Sequence, residues 1–271
     1  MSFLNVNLNK CNQCGICASV CPTRVISITA DGPQVRFDKG CIACGHCVAV
    51  CPTQALDNPK APLQNQKKLD HFPVLSSGQA EEFLRSRRSI RVYEDKKIPN
   101  NTLSKLLDMG RFAETGGNSQ SVSYLVVSKK EILQQLSEMT LTWMEQEIEK
   151  GTGWVQLYKG FVKNCRTTGE DLILRGVPHL IFGKAQKAFP LGRENTVLSF
   201  SYIELYATSL GLGTCWAGFV ENAGRSGYEP MRKILGMDEN EVLTGALMAG
   251  FPKYRYHRLP DRNPLSIRWI D

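Results

Sequence analysis

Eight of the chain's ten cysteines fall in two runs, Cys11 to Cys21 and Cys41 to Cys51, each spaced C-x2-C-x2-C-x3-C and each followed at once by proline. A shift of thirty residues superposes Cys11, Cys14, Cys17 and Cys21 on Cys41, Cys44, Cys47 and Cys51. The same shift brings Gly15, Val20, Pro22 and Thr23 onto the identical residues Gly45, Val50, Pro52 and Thr53. Self-similarity of this kind marks a duplicated unit. Disulfide frameworks rarely show such internal regularity, and zinc does not call for three closely spaced thiols followed by Cys-Pro. The spacing is that of an iron–sulfur holder, one 4Fe–4S cluster for every four cysteines. Gly15 and Gly45 allow the backbone to come close to a cage, and Pro22 and Pro52 end each ligand run. A segment this short cannot bury a core of its own, so cluster binding is also folding energy.

Residues 1–58 resemble a two-cluster bacterial ferredoxin. The resemblance implies crossed ligation, in which the fourth cysteine of each run serves the other run's cluster. One cluster then rests on Cys11, Cys14, Cys17 and Cys51, and the other on Cys41, Cys44, Cys47 and Cys21. The formal charge of +7 treats these thiols as neutral. With two oxidised clusters of about −2 each, the balance falls to roughly +3. No dense Lys/Arg block with interleaved aromatics occurs, so a nucleic-acid partner is not expected. There is no tract of about 18 apolar residues, which argues against a membrane span. The start, MSFLNVNLNKC, lacks a basic and apolar leader, and a cytoplasmic location is expected.

After the repeat, residues 59–76 mix Pro, Asn, Gln and Lys and read as a linker or strap, leaving 77–271 as a second domain. Ser76 or Ser77 can cap a first helix, and Asn100 or Asn101 a second with Leu103, Leu106, Leu107 and Gly110 on one face. RSRRSIRVY between them reads as extended. SYLVVSK (123–129), HLIFGKA (179–185) and EVLTGALMAGFPK (241–253) read as buried strands, and SIRWID at the end as another strand. Residues 194–213 form a helix apolar on nearly all sides, fit for a core centre or a subunit interface. Cys165 and Cys215 read as buried, inert thiols. His46, inside a cluster run, is either a surface residue or a donor near sulfur.

RSRRSIRVY, ETGGNSQ, SLGLGTCWAGF and AGFPKYRYHRLPDRNPL, in that order, resemble the FMN-dependent nitroreductases. The whole chain is thus similar to a ferredoxin–nitroreductase fusion. The implied class is α+β, a small two-cluster ferredoxin-like domain followed by a dimeric domain whose mostly antiparallel sheet is packed by helices. Arg87 and Ser89 can meet the flavin phosphate through a charge-assisted fork and a hydroxyl. In the family, the position of Arg91 faces the pyrimidine edge. The resemblance assigns Thr115, Gly116, Asn118 and Gln120 to a wall supplied by the partner subunit, although Glu114, Ser121 and Val122 stand where the family often has Pro, Pro and Trp. Backbone amides at Ala217 and Gly218 are implied to reach flavin N5, and either Arg258 or Arg262 to add a phosphate contact. Arg88 reads as a surface residue. Residues 137–176, with Trp143, Met144, Trp154, Tyr158 and Phe161, read as core or as a substrate-covering insertion.

The expected function is that of a homodimeric oxidoreductase holding FMN and two 4Fe–4S clusters. It draws on reduced ferredoxin or a similar one-electron donor and reduces a small-molecule acceptor such as a nitroaromatic or quinone. No side chain stands out as the catalytic proton donor, and no Rossmann-type glycine fingerprint marks a nicotinamide site. The alternative is an electron-transfer adapter that serves a protein partner without small-molecule turnover. Flavin storage, a third reading, does not require two clusters.

Overall fold

A computed structural model describes residues 3–72 and 75–271. Residues 1 and 2 of the expected domain 1–58, and 73 and 74 of the expected linker 59–76, lie outside the described residues. The chain divides into two compact units, Met1–Val74 with Gly116–Ser119, and Leu75–Thr115 with Gln120–Asp271.

The first unit is held at its ends by β1 (Asn5–Val6), which pairs antiparallel with β4 (Leu56–Asp57). Between them lie α1 (Ile16–Ser19), the antiparallel pair β2 (Ile26–Thr29) and β3 (Gly32–Val35), and α2 (His46–Ala49). The thirty-residue repeat is visible in the backbone. Both short helices start from a left-handed glycine, Gly15 at φ 75° and Gly45 at φ 72°. Non-glycine residues also enter that region in matched pairs, Gln13 with Ala43 (φ 55° and 57°) and Arg24 with Gln54 (φ 54° and 51°). Such strain persists only where the surroundings over-determine it, which is typical of binding sites. The apolar core is small: Phe3, Leu4, Val25, Ile26, Val48 and Leu56, interleaved with Cys17, Cys21 and Cys47.

The second unit opens with α3 (Ser77–Ser86), capped by Ser76 in a reciprocal box with Gln79. The chain then runs extended, with Ser89 bridging Thr214 and Tyr93 bridging Pro252. In α4 (Asn100–Gly110) the N-cap is Pro99, and neither Asn100 nor Asn101 caps it. The fixed φ of proline already sets the entry angle, so the expected asparagine cap is corrected here. There follow β5 (Ser123–Val127), α5 (Lys130–Glu149), α6 (Lys159–Thr168), β6 (His179–Gln186) and α7 (Gly192–Ser209). The last elements are β7 (Gly213–Trp216), α8 (Gly218–Arg225), α9 (Glu229–Ile234) and β8 (Glu241–Gly250).

The strands form one antiparallel sheet in the order β5-β6-β8-β7. Strand alternation splits its side chains between two apolar clusters. Leu180, Phe182, Ala246 and Met248 join residues of α5, α6 and α8, whereas Ile181, Leu247 and Ala249 join residues of α4 and α7. The sheet is covered on both faces, and the class is α+β. Lying at an edge, β5 has only Val127 buried, not the fully buried strand expected. In α7 the buried positions fall on one side, including Phe200, Ile203 and Ala207, while Leu198 stays 41% exposed. Residues 254–271 are exposed and carry no strand, so SIRWID is not one in the single chain; a strand needs a neighbouring edge to pair with.

His179, 1% exposed, locks β6 to the turn before α4. Its Nε2 accepts the Ile98 N–H at 2.8 Å, so the proton sits on Nδ1, which donates to Ser128 Oγ at 2.6 Å. Burial, helped by the charge of Lys97, pushes its pKa down to about 4. The ring therefore contributes stability in full above its unfolded value of 6.5, and that contribution is lost as pH falls through about 4. All four tryptophans lie in the second unit and report its unfolding. Tryptophan fluorescence should show the melting midpoint falling between pH 6.5 and 4, with a shallower fall in His179→Gln.

Candidate cluster and flavin sites

The eight repeat cysteines line two cavities. One is lined by Cys41, Cys44 and Cys47 together with Cys21. The other is lined by Cys11, Cys14 and Cys17 together with Cys51. Each cavity thus takes three thiols from one run and the fourth from the other. The short helices α1 and α2 carry the third cysteine inward, and a turn after each, with Cys21 N–H on Ala18 O and Cys51 N–H on Val48 O, sends the fourth away.

The electrostatics follow the same grouping. Burial pushes Cys47 up to about 11, and the neighbouring charges of Cys44, Cys41 and Cys21 add to it. Cys17 is raised by burial and by Cys14 and Cys51. Burial also acts to raise Cys21 and Cys51, but donors outweigh it and both thiols fall below their usual range. Those donors include Thr23 and the Val25 backbone for Cys21, and the Ala55 N–H at 3.3 Å with Thr53 for Cys51. Among the described residues, no three Cys, His, Asp or Glu converge as a single ion requires. Four thiols on each cavity, in runs of three followed by Cys-Pro, fit a cage rather than one zinc ion. His46 is exposed, and no hydrogen bond from its ring to a thiol occurs among the described residues.

The second unit has a cavity of about 390 Å³, lined by Arg87, Arg88, Glu204, Thr214, Tyr254 and Arg255 among others. Glu204 projects from α7 and is buried, so its charge must be compensated. Its Oε1 accepts from Arg87 Nη1 at 3.4 Å and from Thr214 Oγ1 at 3.3 Å, and its Oε2 from Trp216 Nε1 at 3.1 Å. The carboxylate ties the segment after α3 to β7 and holds the Arg87 guanidinium in place. Among the described residues, Arg88 Nε is buried without a hydrogen-bond partner. A buried cationic donor left unpaired on an arginine-walled cavity fits an anionic group such as a flavin phosphate. Arg88, read from the sequence as a surface residue, is corrected to a cavity residue.

The other expected flavin residues are placed as follows. Ser89 lies on the bridge to Thr214, and Arg91 Nη1 donates to the Ser89 carbonyl at 3.4 Å. The Ala217 N–H is engaged by the Ala246 carbonyl at 2.9 Å. Gly218 starts α8, where backbone N–H groups lack intrahelical partners, and nothing lies within 4 Å of where its Cβ would stand. Of these two amides, Gly218 is the one with capacity for a ligand. Thr115 Oγ1 accepts the Gln120 N–H at 3.0 Å. Gly116 and Asn118 belong to the first unit, and Asn118 Nδ2 donates to the Ile42 carbonyl at 2.9 Å. Arg258 and Arg262 lie on the exposed tail and do not line the cavity, whereas Arg255 does. Glu204 and Arg255 were not singled out in the sequence; the legible signal for Glu204 was a carboxylate between Ile203 and Leu205, deep inside a helix. Of the insertion's residues, Trp143 and Met144 are core, while Trp154 and Tyr158 are partly exposed. Tyr158 packs edge-on against Phe219, beside Gly218, at 4.9 Å.

Residues 84–251 match the model of the nitroreductase family, and residues 10–56 match a 4Fe-4S dicluster domain. The chain belongs to the nitroreductase family. It is an FMN-dependent oxidoreductase with a ferredoxin-type 4Fe–4S domain at its amino-terminal end. Over 168 residues it is 25% identical to an Archaeoglobus fulgidus protein named "Putative NADH dehydrogenase/NAD(P)H nitroreductase", covering 62% of this chain and 82% of that one. Its fold is similar to an FMN-bound nitroreductase of Bacteroides fragilis, with 20% identity, a TM-score of 0.55, and coverage of 70% of this chain and 99% of that one. It is similar also to an FMN-bound nitroreductase of Desulfitobacterium hafniense, with 20% identity, a TM-score of 0.56, and coverage of 70% and 98%.

Iron counting tests the thiol grouping directly. The double variant Cys11→Ala/Cys51→Ala removes ligands from one cavity only and should keep about half of the wild-type iron. Cys11→Ala/Cys21→Ala strikes both cavities and should lose nearly all of it. For the second unit, Arg87→Ala should weaken flavin retention by at least tenfold, read by ultrafiltration, while the iron content stays unchanged.

Proposed function

We propose that the protein works as a homodimer that accepts low-potential electrons from reduced ferredoxin or a similar carrier, conducts them through two 4Fe–4S clusters to FMN, and reduces an organic acceptor such as a nitroaromatic or a quinone. The observation that carries this reading is the presence, in one nitroreductase-family chain, of two four-thiol cavities and an arginine-walled cavity with an unpaired buried donor. When bound, the clusters supply one-electron steps and the flavin supplies their conversion to a two-electron reduction.

The chain's residues bind, orient and shield. In this reading residues 1–58 are the cluster domain, 59–76 a strap and 77–271 the flavin domain. Cys11, Cys14, Cys17 and Cys51 hold one cluster, and Cys41, Cys44, Cys47 and Cys21 the other. Arg87, Arg88 and Ser89 receive the phosphate, with Glu204 preventing Arg87 from swinging into solvent. Arg91 supplies positive charge to the ring edge, and Gly218 offers an N–H with room for close approach. Tyr93 and Cys215 are buried with pKa values pushed up by burial, and the Tyr93 hydroxyl already donates to the Ile90 carbonyl at 2.6 Å. Solvent is then the proton source. The dimer is supported by the exposed tail with Leu265, Ile267 and Trp269, and by the outward Leu198 of α7. Thr115, Gly116, Asn118 and Gln120 complete the partner's site in this arrangement, the tail crosses to the partner's sheet, and either Arg258 or Arg262 adds a phosphate contact.

The relative's name includes NAD(P)H, but this chain carries its own cluster domain, which a direct hydride donor does not need. Anaerobic steady-state assays test the reading. Reduced ferredoxin should support stoichiometric reduction of a nitroaromatic or quinone, and NADPH alone should reduce bound flavin far more slowly. Rapid reduction by NADPH alone would refute the donor assignment. Absence of turnover over a broad acceptor panel, with cluster-to-flavin transfer retained, would instead identify an electron adapter.

A further inference from the structure

In the duplicated halves of the first unit, the threonine after each fourth cysteine stands against its thiol in the same way. Thr23 Oγ1 lies 3.7 Å from Cys21 Sγ, and its repeat partner Thr53 Oγ1 lies 3.7 Å from Cys51 Sγ. Asn58 breaks the pattern. Its Nδ2 donates to Cys41 Sγ at 3.8 Å, whereas the residue thirty positions earlier is Ile28, a hydrocarbon that is 38% exposed.

The asparagine is 1% exposed, and its surroundings leave its amide little choice. Its Oδ1 accepts the Lys60 N–H at 2.9 Å, its own N–H donates to Asp57 Oδ1 at 2.8 Å, and its carbonyl accepts the Ala61 N–H at 2.8 Å. Asp57 Oδ1 also accepts the Leu63 N–H at 2.8 Å, which fastens the turn after β4. With the oxygen pinned by Lys60, the network sets the amide's orientation and the N–H groups face the opposite way. That way is the wall of the Cys41, Cys44, Cys47 and Cys21 cavity, of which Asn58 is a lining residue.

We propose that Asn58 raises the reduction potential of the cluster held by Cys41, Cys44, Cys47 and Cys21, and of that cluster alone, by hydrogen bonding to the Cys41 thiolate. The inference rests on the reading that both cavities hold clusters. An N–H aimed at a ligand sulfur stabilises the more negative, reduced state more than the oxidised one, and does so more strongly in a buried, low-dielectric site. The couple concerned takes up one electron and releases nothing, so no proton or partner enters the balance. The bond thus biases an arriving electron toward that cluster and makes two otherwise duplicated centres unequal.

The test uses the full chain, purified anaerobically, with iron counting followed by a redox titration monitored by electron paramagnetic resonance. About eight irons per wild-type chain establish the two-cluster reading; far fewer would overturn that reading and this proposal together. In Asn58→Leu, half of the reducible signal should shift to lower potential and the other half should stay in place. The expected three- to tenfold loss in the reduction equilibrium corresponds to about 30–60 mV at 59 mV per tenfold for one electron. Asn58→Asp serves if the leucine variant fails to load iron: it keeps the acceptor for Lys60 but cannot donate to sulfur, and it should shift the same half at least as far. Full iron with both halves unmoved would overturn the role of Asn58 while leaving the clusters standing. Movement of both halves together would overturn it too, because a general loosening of the unit predicts that result.

Discussion

Four thiolates facing one small cavity repel one another, and the amino-terminal unit depends on that repulsion being neutralised. Burial and mutual charge push Cys17 and Cys47 up, so without a cationic cage these thiols favour their protons. Iron reverses the balance by replacing those protons. The apolar contribution is too small to substitute, since the core of the unit is a handful of side chains into which the cysteines themselves are packed. Exchange of the fourth cysteine between runs makes each cavity a clasp between the two halves of the repeat. The backbone accepts left-handed conformations at Gln13, Arg24, Ala43 and Gln54 to achieve it.

The second unit obeys the opposite rule, with an extensive apolar core and a few polar groups set into it. Strand alternation in β6 and β8 sends side chains to both faces of the sheet, and helices cover each face. Into this dry setting α7 inserts Glu204, whose charge is answered by Arg87, Thr214 and Trp216. An ion pair of this kind is not a large source of stability, because desolvation offsets most of its attraction. Its consequence is positional, since it sets the direction of a guanidinium that would otherwise sample solvent. The arginine wall of the cavity is therefore organised by a residue that belongs to the hydrophobic framework.

The parts that could be read from sequence share one property: they are local. Cysteine spacing, the Ser76 cap, the 3.6-residue and two-residue periodicities and the RSRRSIRVY stretch all express chemistry within a few residues of the chain. The misread parts depend on neighbours far away in sequence. Asn100 was a plausible cap until Pro99 took the position, and SYLVVSK looked buried although β5 lies at the sheet's edge. Arg88 looked like a surface residue beside Arg87, yet its Nε is enclosed. Ala217 and Gly218 were indistinguishable in sequence, and only the pairing of Ala217 with Ala246 separates them.

Sequence alone determined that this chain carries a ferredoxin-type 4Fe–4S domain, because ligand count and spacing are written along the backbone, and the resemblance of its later motifs to the nitroreductases marked the flavin-type domain joined to it. It could not decide which hydrogen bond breaks the symmetry of the two four-thiol cavities. Asn58 and Ile28 are equivalent in the repeat, and only the turn through Asp57, Lys60 and Leu63 aims one amide at sulfur. Nor could it decide that Arg87 answers to Glu204, 117 residues away. Covalent order sets which residues exist near one another in the chain; charge compensation and donor direction are settled only when distant segments exclude water between them.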